Sequence, residues 1–94
     1  MLHRVYHKDV LMLASDGVFD NATEDDILCC VNRKDAHPRK TARCIANKSL
    51  RLSKKKTYDS PFAINSRAAG RATPHVGGKK DDITVVVSQV ILNN

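Results

Sequence analysis

The stretch LMLASDGVFDN, residues 11–21, decides how this chain is read. Leu11 to Ala14 is a short apolar run closed by a turn signal, the pattern of a strand buried on both faces. The turn signal is Asp16-Gly17. Asp20 then follows three residues after the glycine. A strand that ends on Asp-Gly and soon places a second acid is either an ordinary turn or a strand end that presents carboxylates to a metal.

Working outward, the strand is read over residues 5–14. NATEDDILCCVNR reads as a helix, with Thr23 as N-cap and Asp26 three positions on as a variant of the capping box. Glu24, Asp25 and Asp26 crowd its first turn, where the helix dipole favours negative charge. Ile27, Leu28, Val31 and Cys30 supply its apolar face. KDAHPRK is a loop that sets Pro38 near the next helix start. Residues 39–55 place Ala42, Ile45, Ala46, Ser49, Leu50 and Leu52 at near-helical spacing, with Arg39, Lys40, Arg43, Lys48, Arg51 and Lys54 opposite. Ser60-Pro61 opens a further helix that faces Phe62, Ala63, Ser66 and Ala69 inward and ends at Gly70. RATPHVGGKK is turn-rich, and the β-branched run at residues 81–92 is a strand.

The chain is thus strand, three helices, strand in 94 residues, one small α+β unit whose core is mainly aliphatic: aromatic residues make up 4% and Trp is absent. Two strands that read as buried on both faces need a sheet around them, which implies that the unit is part of a larger fold. No apolar run is long enough to span a membrane, and the first ten residues lack the apolar core of a secretory signal. Cys29, Cys30 and Cys44 show no metal-finger spacing and read as free thiols in a reducing compartment. The four histidines, at positions 3, 7, 37 and 75, are scattered along the chain and are not read as a metal site.

A second acidic stretch, GGKKDDITVVV, opens the last strand. Asp81 and Asp82 stand there after Gly77-Gly78, which let the backbone turn tightly. If the two strands are antiparallel neighbours, Asp16 and Asp81 converge on one edge. Converging carboxylates repel unless a cation lies between them, and hard oxygen donors suit Mg²⁺ or Mn²⁺.

LASDGVFDN and GGKKDDITVVVS together resemble two signature segments of the metal-dependent protein serine/threonine phosphatases of the PPM, or protein phosphatase 2C, family. SPFA at residues 60–63 is similar to the PTC7-like branch, which includes mitochondrial members. The resemblance implies a C-terminal portion, residues 1–94, of an α-β-β-α sandwich with antiparallel sheets, here incomplete. It implies Asp16 and Asp81 as metal ligands, with Asp20 and Asp82 as support or ligands of an additional metal. Gly17, Gly77 and Gly78 shape the backbone around them. It further implies a two-metal Mg²⁺ or Mn²⁺ centre, water attack on phosphoserine or phosphothreonine, and a phosphorylated protein substrate in an intracellular, mitochondrial or cytoplasmic, setting. The family's phosphate-binding arginine segment and its second Asp-Gly segment have no match in these residues, so the chain is expected to be inactive alone. Two further readings compete: a regulatory or pseudo-phosphatase fragment, and a basic module for acidic partners. The second rests on eight Lys or Arg among residues 39–56 within a net charge of +6. No aromatics interleave with them, so specific nucleic-acid binding is not expected.

Overall fold

The computed structural model describes residues 6–34, 37–71 and 73–91. The strand ends expected at residues 5 and 92, and loop residues 35, 36 and 72, lie outside the described residues. The element order is β1 (Val10–Ala14), α1 (Asp16–Phe19), α2 (Glu24–Val31), α3 (Pro38–Ser53), α4 (Pro61–Ala68) and β2 (Val85–Gln89). The strands pair antiparallel, with Val10 opposite Gln89 and Ala14 opposite Val85. Chain ends distant in sequence therefore meet in one two-stranded sheet.

Both strands are shorter than the sequence implies. A turn at Asp9 delays the start of β1: the Asp9 carboxylate accepts the Tyr6 N–H at 2.7 Å, and its own N–H reaches the Tyr6 carbonyl at 3.0 Å. That closes a turn with Lys8 at φ 69°. β2 begins only at Val85 because its partner turns into α1 at Asp16. A fourth helix thus stands where the sequence suggests a plain turn.

The helix starts follow their local chemistry. The Thr23 hydroxyl accepts the Asp26 N–H, and the Asp26 carboxylate accepts the Thr23 N–H at 2.9 Å. Partial burial works against the ionised Asp26 carboxyl, yet its bonds to Thr23 and the Lys48 ammonium 3.3 Å away hold it below the usual carboxylate range. His37 caps α3 with Pro38 in its first turn. The Ser60 hydroxyl caps α4 by accepting the Ala63 N–H.

The inner face of the sheet, Met12, Ala14, Val85 and Val87, packs on a core of Val18, Ala22, Cys30 and Ile45, with Ile27 and Ile83 at its margin. α3 crosses β2, and α2 and α1 pack on α3. The buried stripe of α3 is Thr41, Ile45, Ser49, Leu52 and Ser53. Small polar residues thus take inward positions, and Leu50 points outward. In the same way Leu28 of α2 and Ala69, the C-cap of α4, are exposed.

The cover that the outer face of the strands calls for is not supplied among the described residues, as expected of part of a larger fold. Leu11, Leu13 and Val86 on the outer face are 49%, 76% and 56% exposed, forming an apolar ledge with Ser88. The reading of all three cysteines as free thiols is corrected. Cys30 and Cys44 form a disulfide between α2 and α3, with Cα atoms 5.7 Å apart, while Cys29 is free and exposed. Packing of α2 on α3 brings the pair together, which no local spacing reveals. No helix of the described residues is long and apolar enough to cross a membrane.

Candidate functional site

Pairing between the chain ends continues one step past the sheet. The Ser15 N–H donates to the Thr84 carbonyl at 2.9 Å. The Ser15 hydroxyl accepts the Thr84 N–H at 3.0 Å and donates to the Asp82 carbonyl at 2.9 Å. Ser15 thus joins the residue before Asp16 to the strand that follows Asp81 and Asp82. The two acidic stretches meet at one end of the sheet, as the antiparallel reading requires.

A buried amide locks the junction. Asn21 has no solvent exposure. Its Nδ2 donates to the carbonyls of Gly17 and Lys79, both at 2.8 Å, and its Oδ1 accepts the Lys79 N–H at 2.7 Å. One side chain therefore ties α1 to the loop that carries Asp81.

Gly17 lies buried inside α1, and what demands glycine there is close approach rather than a turn: a Cβ would collide with the Asp82 carbonyl oxygen. Gly77 has φ +83°, a conformation costly for L side chains, and a Cβ on it or on Gly78 would strike the α3 end and the residues that follow it. The Ser60 hydroxyl donates to the Gly77 carbonyl at 2.7 Å, pinning this loop to the start of α4.

The four acids differ in circumstance. Asp16 opens α1 and is exposed. Asp81 is exposed, and its Oδ1 accepts the Asp82 N–H at 2.8 Å. Among the described residues, neither carboxylate forms an ion pair with Lys, Arg or His. Asp20 is the C-cap of α1. Its carbonyl accepts the Phe62 N–H, and its carboxylate lies 3.7 Å from the Lys79 ammonium. That ammonium also sits 4.1 Å from the centre of the Phe62 ring, whose edge-to-face partner is His75. Asp20 thus ties α1 to α4 and to the loop before Asp81. Asp82 engages the junction through its backbone.

The donor set at this end is all hard oxygen, on backbone held by Ser15 and Asn21. It suits part of a site for a cation such as Mg²⁺, which takes six oxygen ligands and retains several waters. Among the described residues no group of three or more His, Cys, Asp or Glu converges as a complete metal site. Ser15 and Asn21 do not stand out in sequence as metal-site residues. Their signal is position, polar residues on each side of an Asp-Gly that closes an apolar strand.

No family model matches the chain. The "Probable protein phosphatase 2C 62" of Arabidopsis thaliana is 36% identical over 97 aligned residues, covering 95% of this chain and 13% of that protein. The "Protein phosphatase PTC7 homolog fig" of Drosophila melanogaster is 34% identical, covering 98% of this chain and 30% of that protein. The X-ray structure of the photosystem II phosphatase PBCP superposes with a TM-score of 0.84 at 28% identity, covering 94% of this chain and 38% of the other. The chain belongs to the protein phosphatase 2C family. It spans well under half of each of these protein phosphatase 2C relatives, and its α+β fold is an incomplete form of theirs.

Proposed function

We propose that these 94 residues are the C-terminal portion of a metal-dependent protein serine/threonine phosphatase domain. The observation that carries this is the Ser15 junction, which sets the Asp16 and Asp81 stretches side by side at one sheet end. Asp16 and Asp81 would hold a divalent cation, Mg²⁺ or Mn²⁺. Asp20 and Asp82 support them, Asp20 by its pairing with Lys79 and Asp82 by its backbone bond to Ser15. When bound, such a cation supplies Lewis-acid activation of water and neutralises charge on a phosphoryl group. The chain's own residues orient that end: Asn21 fixes its loop, and Gly17 lets the Asp82 carbonyl approach α1.

The rest of the domain would complete the ligand set and cover the outer ledge of Leu11, Leu13 and Val86. The substrate class is a phosphorylated protein. The reading keeps an intracellular setting, mitochondrial or cytoplasmic, with the condition that the Cys30–Cys44 bond be oxidised there.

Two measurements test this. Hydrolysis of p-nitrophenyl phosphate by the 94-residue chain with Mn²⁺ is expected to be absent; Mn²⁺-dependent turnover abolished by Asp16→Asn would refute inertness. Mn²⁺ titration followed by calorimetry is expected to show weak binding that Asp16→Asn and Asp81→Asn each remove. Binding that survives both substitutions would overturn the ligand assignment.

A further inference from the structure

The loop of residues 75–80 lies against the C-terminal end of α3, and a cleft of about 510 Å³ opens between them. Lys54, Lys55, Lys56 and Lys80 line it, with His75 and Val76. The described ion pairs engage Lys48, Arg67 and Lys79, so none of these four lysines is matched by a carboxylate among the described residues.

The cleft is built rather than incidental. The Gly78 N–H donates to the Lys55 carbonyl at 2.7 Å, and His75 Nε2 donates to the Gly78 carbonyl at 2.9 Å. The Gly78–Lys55 bond and the close glycine approaches hold loop and helix end together, while the His75–Gly78 bond fixes the shape of the loop itself, so backbone separation of the lysines is restrained. The last carbonyls of α3 would normally disfavour an anion. Here Leu52 O accepts the Lys55 N–H and Lys55 O accepts the Gly78 N–H. Four like charges in a concave surface create a field that an anion relieves.

We infer that this cleft docks an acidic peptide segment, and that the segment flanks the phosphorylated residue of a substrate. The second half of the inference rests on the proposed phosphatase function. A peptide fits better than a nucleic acid because no Phe, Tyr or Trp lines the cleft for base stacking, and the His75 ring is engaged by the Gly78 carbonyl and the Phe62 ring. Val76, largely exposed, offers a peptide side chain an apolar contact. Lys80 adjoins Asp81 in the chain, so a segment seated among the lysines leads toward the acid-bearing end.

The test uses the full 94-residue chain and a fluorescein-labelled Glu/Asp-rich peptide, read by anisotropy at low salt, with folding of each variant checked by circular dichroism. Saturable binding is expected, weakened about tenfold by the joint Lys54→Gln, Lys55→Gln, Lys56→Gln change, the sum of three partly exposed charge contacts. A matched triple, Lys34→Gln, Arg39→Gln, Arg43→Gln, removes the same charge, with Arg43 and Arg39 roughly 16 and 22 Å from Lys54 along the helix at 1.5 Å per residue. It is expected to leave binding within about twofold, since screening confines such effects to about 10 Å. Equal loss in both triples would overturn the site in favour of diffuse net charge. An oligonucleotide that binds more tightly through the same lysines would overturn the peptide assignment. The substrate link is read separately. A phosphoserine version of the peptide is expected to bind more tightly with Mn²⁺ than without, and Asp16→Asn is expected to remove that gain. Lysine-dependent binding with no Mn²⁺ gain would keep the docking site and overturn the link to the phosphatase reading.

Discussion

Breaking the Cys30–Cys44 bond is expected to produce the largest stability change available in this chain short of emptying the core. The bond joins residues 14 apart. Closing a loop of about that length removes enough unfolded-chain entropy to stabilise the folded state by about 3 kcal/mol. In a domain of this size each kcal/mol moves Tm by about 4–8 °C, so reduction is expected to lower Tm by roughly 10–25 °C. The urea m-value is expected to rise at the same time, because the reduced unfolded chain is less compact. Cys30 sits in the core, so Cys44→Ala is the gentler variant: it leaves the Cys30 thiol to pack as a small apolar group. The assay is thermal and urea unfolding followed by far-ultraviolet circular dichroism, with and without phosphine reductant. Wild type in reductant and Cys44→Ala without it are expected to coincide, and Cys29→Ser to match oxidised wild type. Superimposable wild-type curves with and without reductant would refute the loop-closure reasoning, as would a Cys29→Ser shift as large as that of Cys44→Ala.

Two further outcomes follow from single side chains. Asn21→Ala strands buried partners on Gly17 and Lys79, so it is expected to cost about 2–3 kcal/mol in urea unfolding and to speed amide exchange at Lys79 well beyond the global change. For Asp26, the folded carboxyl titrates below its unfolded value, so its contribution is complete above the unfolded value near pH 4 and is lost as pH falls through the lower folded value. Asp26→Asn is expected to flatten that acid limb of the stability–pH curve, and an unchanged limb would refute the assignment.

What the sequence disclosed was mostly local. Thr23 with Asp26 and Ser60 with Pro61 mark helix starts because the bonds involved span three residues, and the structure forms them as read. The meeting of the Asp16 and Asp81 stretches needed one extra assumption, antiparallel pairing, which the register supplies. The phase of α3 was less legible. Hydrophobicity points Leu50 inward, but the close approach of Gly78 to the Leu52–Ser53 backbone favours small side chains such as Ser53 on that side. The Cys30–Cys44 bond and the Asn21 bonds depend on how separate segments pack, and no spacing within either segment encodes them. The outer face of the sheet was legible as a face in need of cover, and Leu11, Leu13 and Val86 stand exposed on it with no covering layer among the described residues.

The Asn21 amide has a thermodynamic consequence for any ligand at the acidic end. Its bonds span 58 residues of sequence, so they form only when the chain closes on itself. Once they form, α1 and the loop at Lys79 no longer move independently, so a cation of the kind proposed for Asp16 and Asp81 would meet backbone that folding has already largely ordered. Fixing a residue's backbone costs about 1–2 kcal/mol, and here folding rather than binding absorbs that cost. Weak affinity in the 94-residue chain would then reflect too few ligands rather than a floppy site, and adding the missing donors would raise affinity without first having to organise the loop.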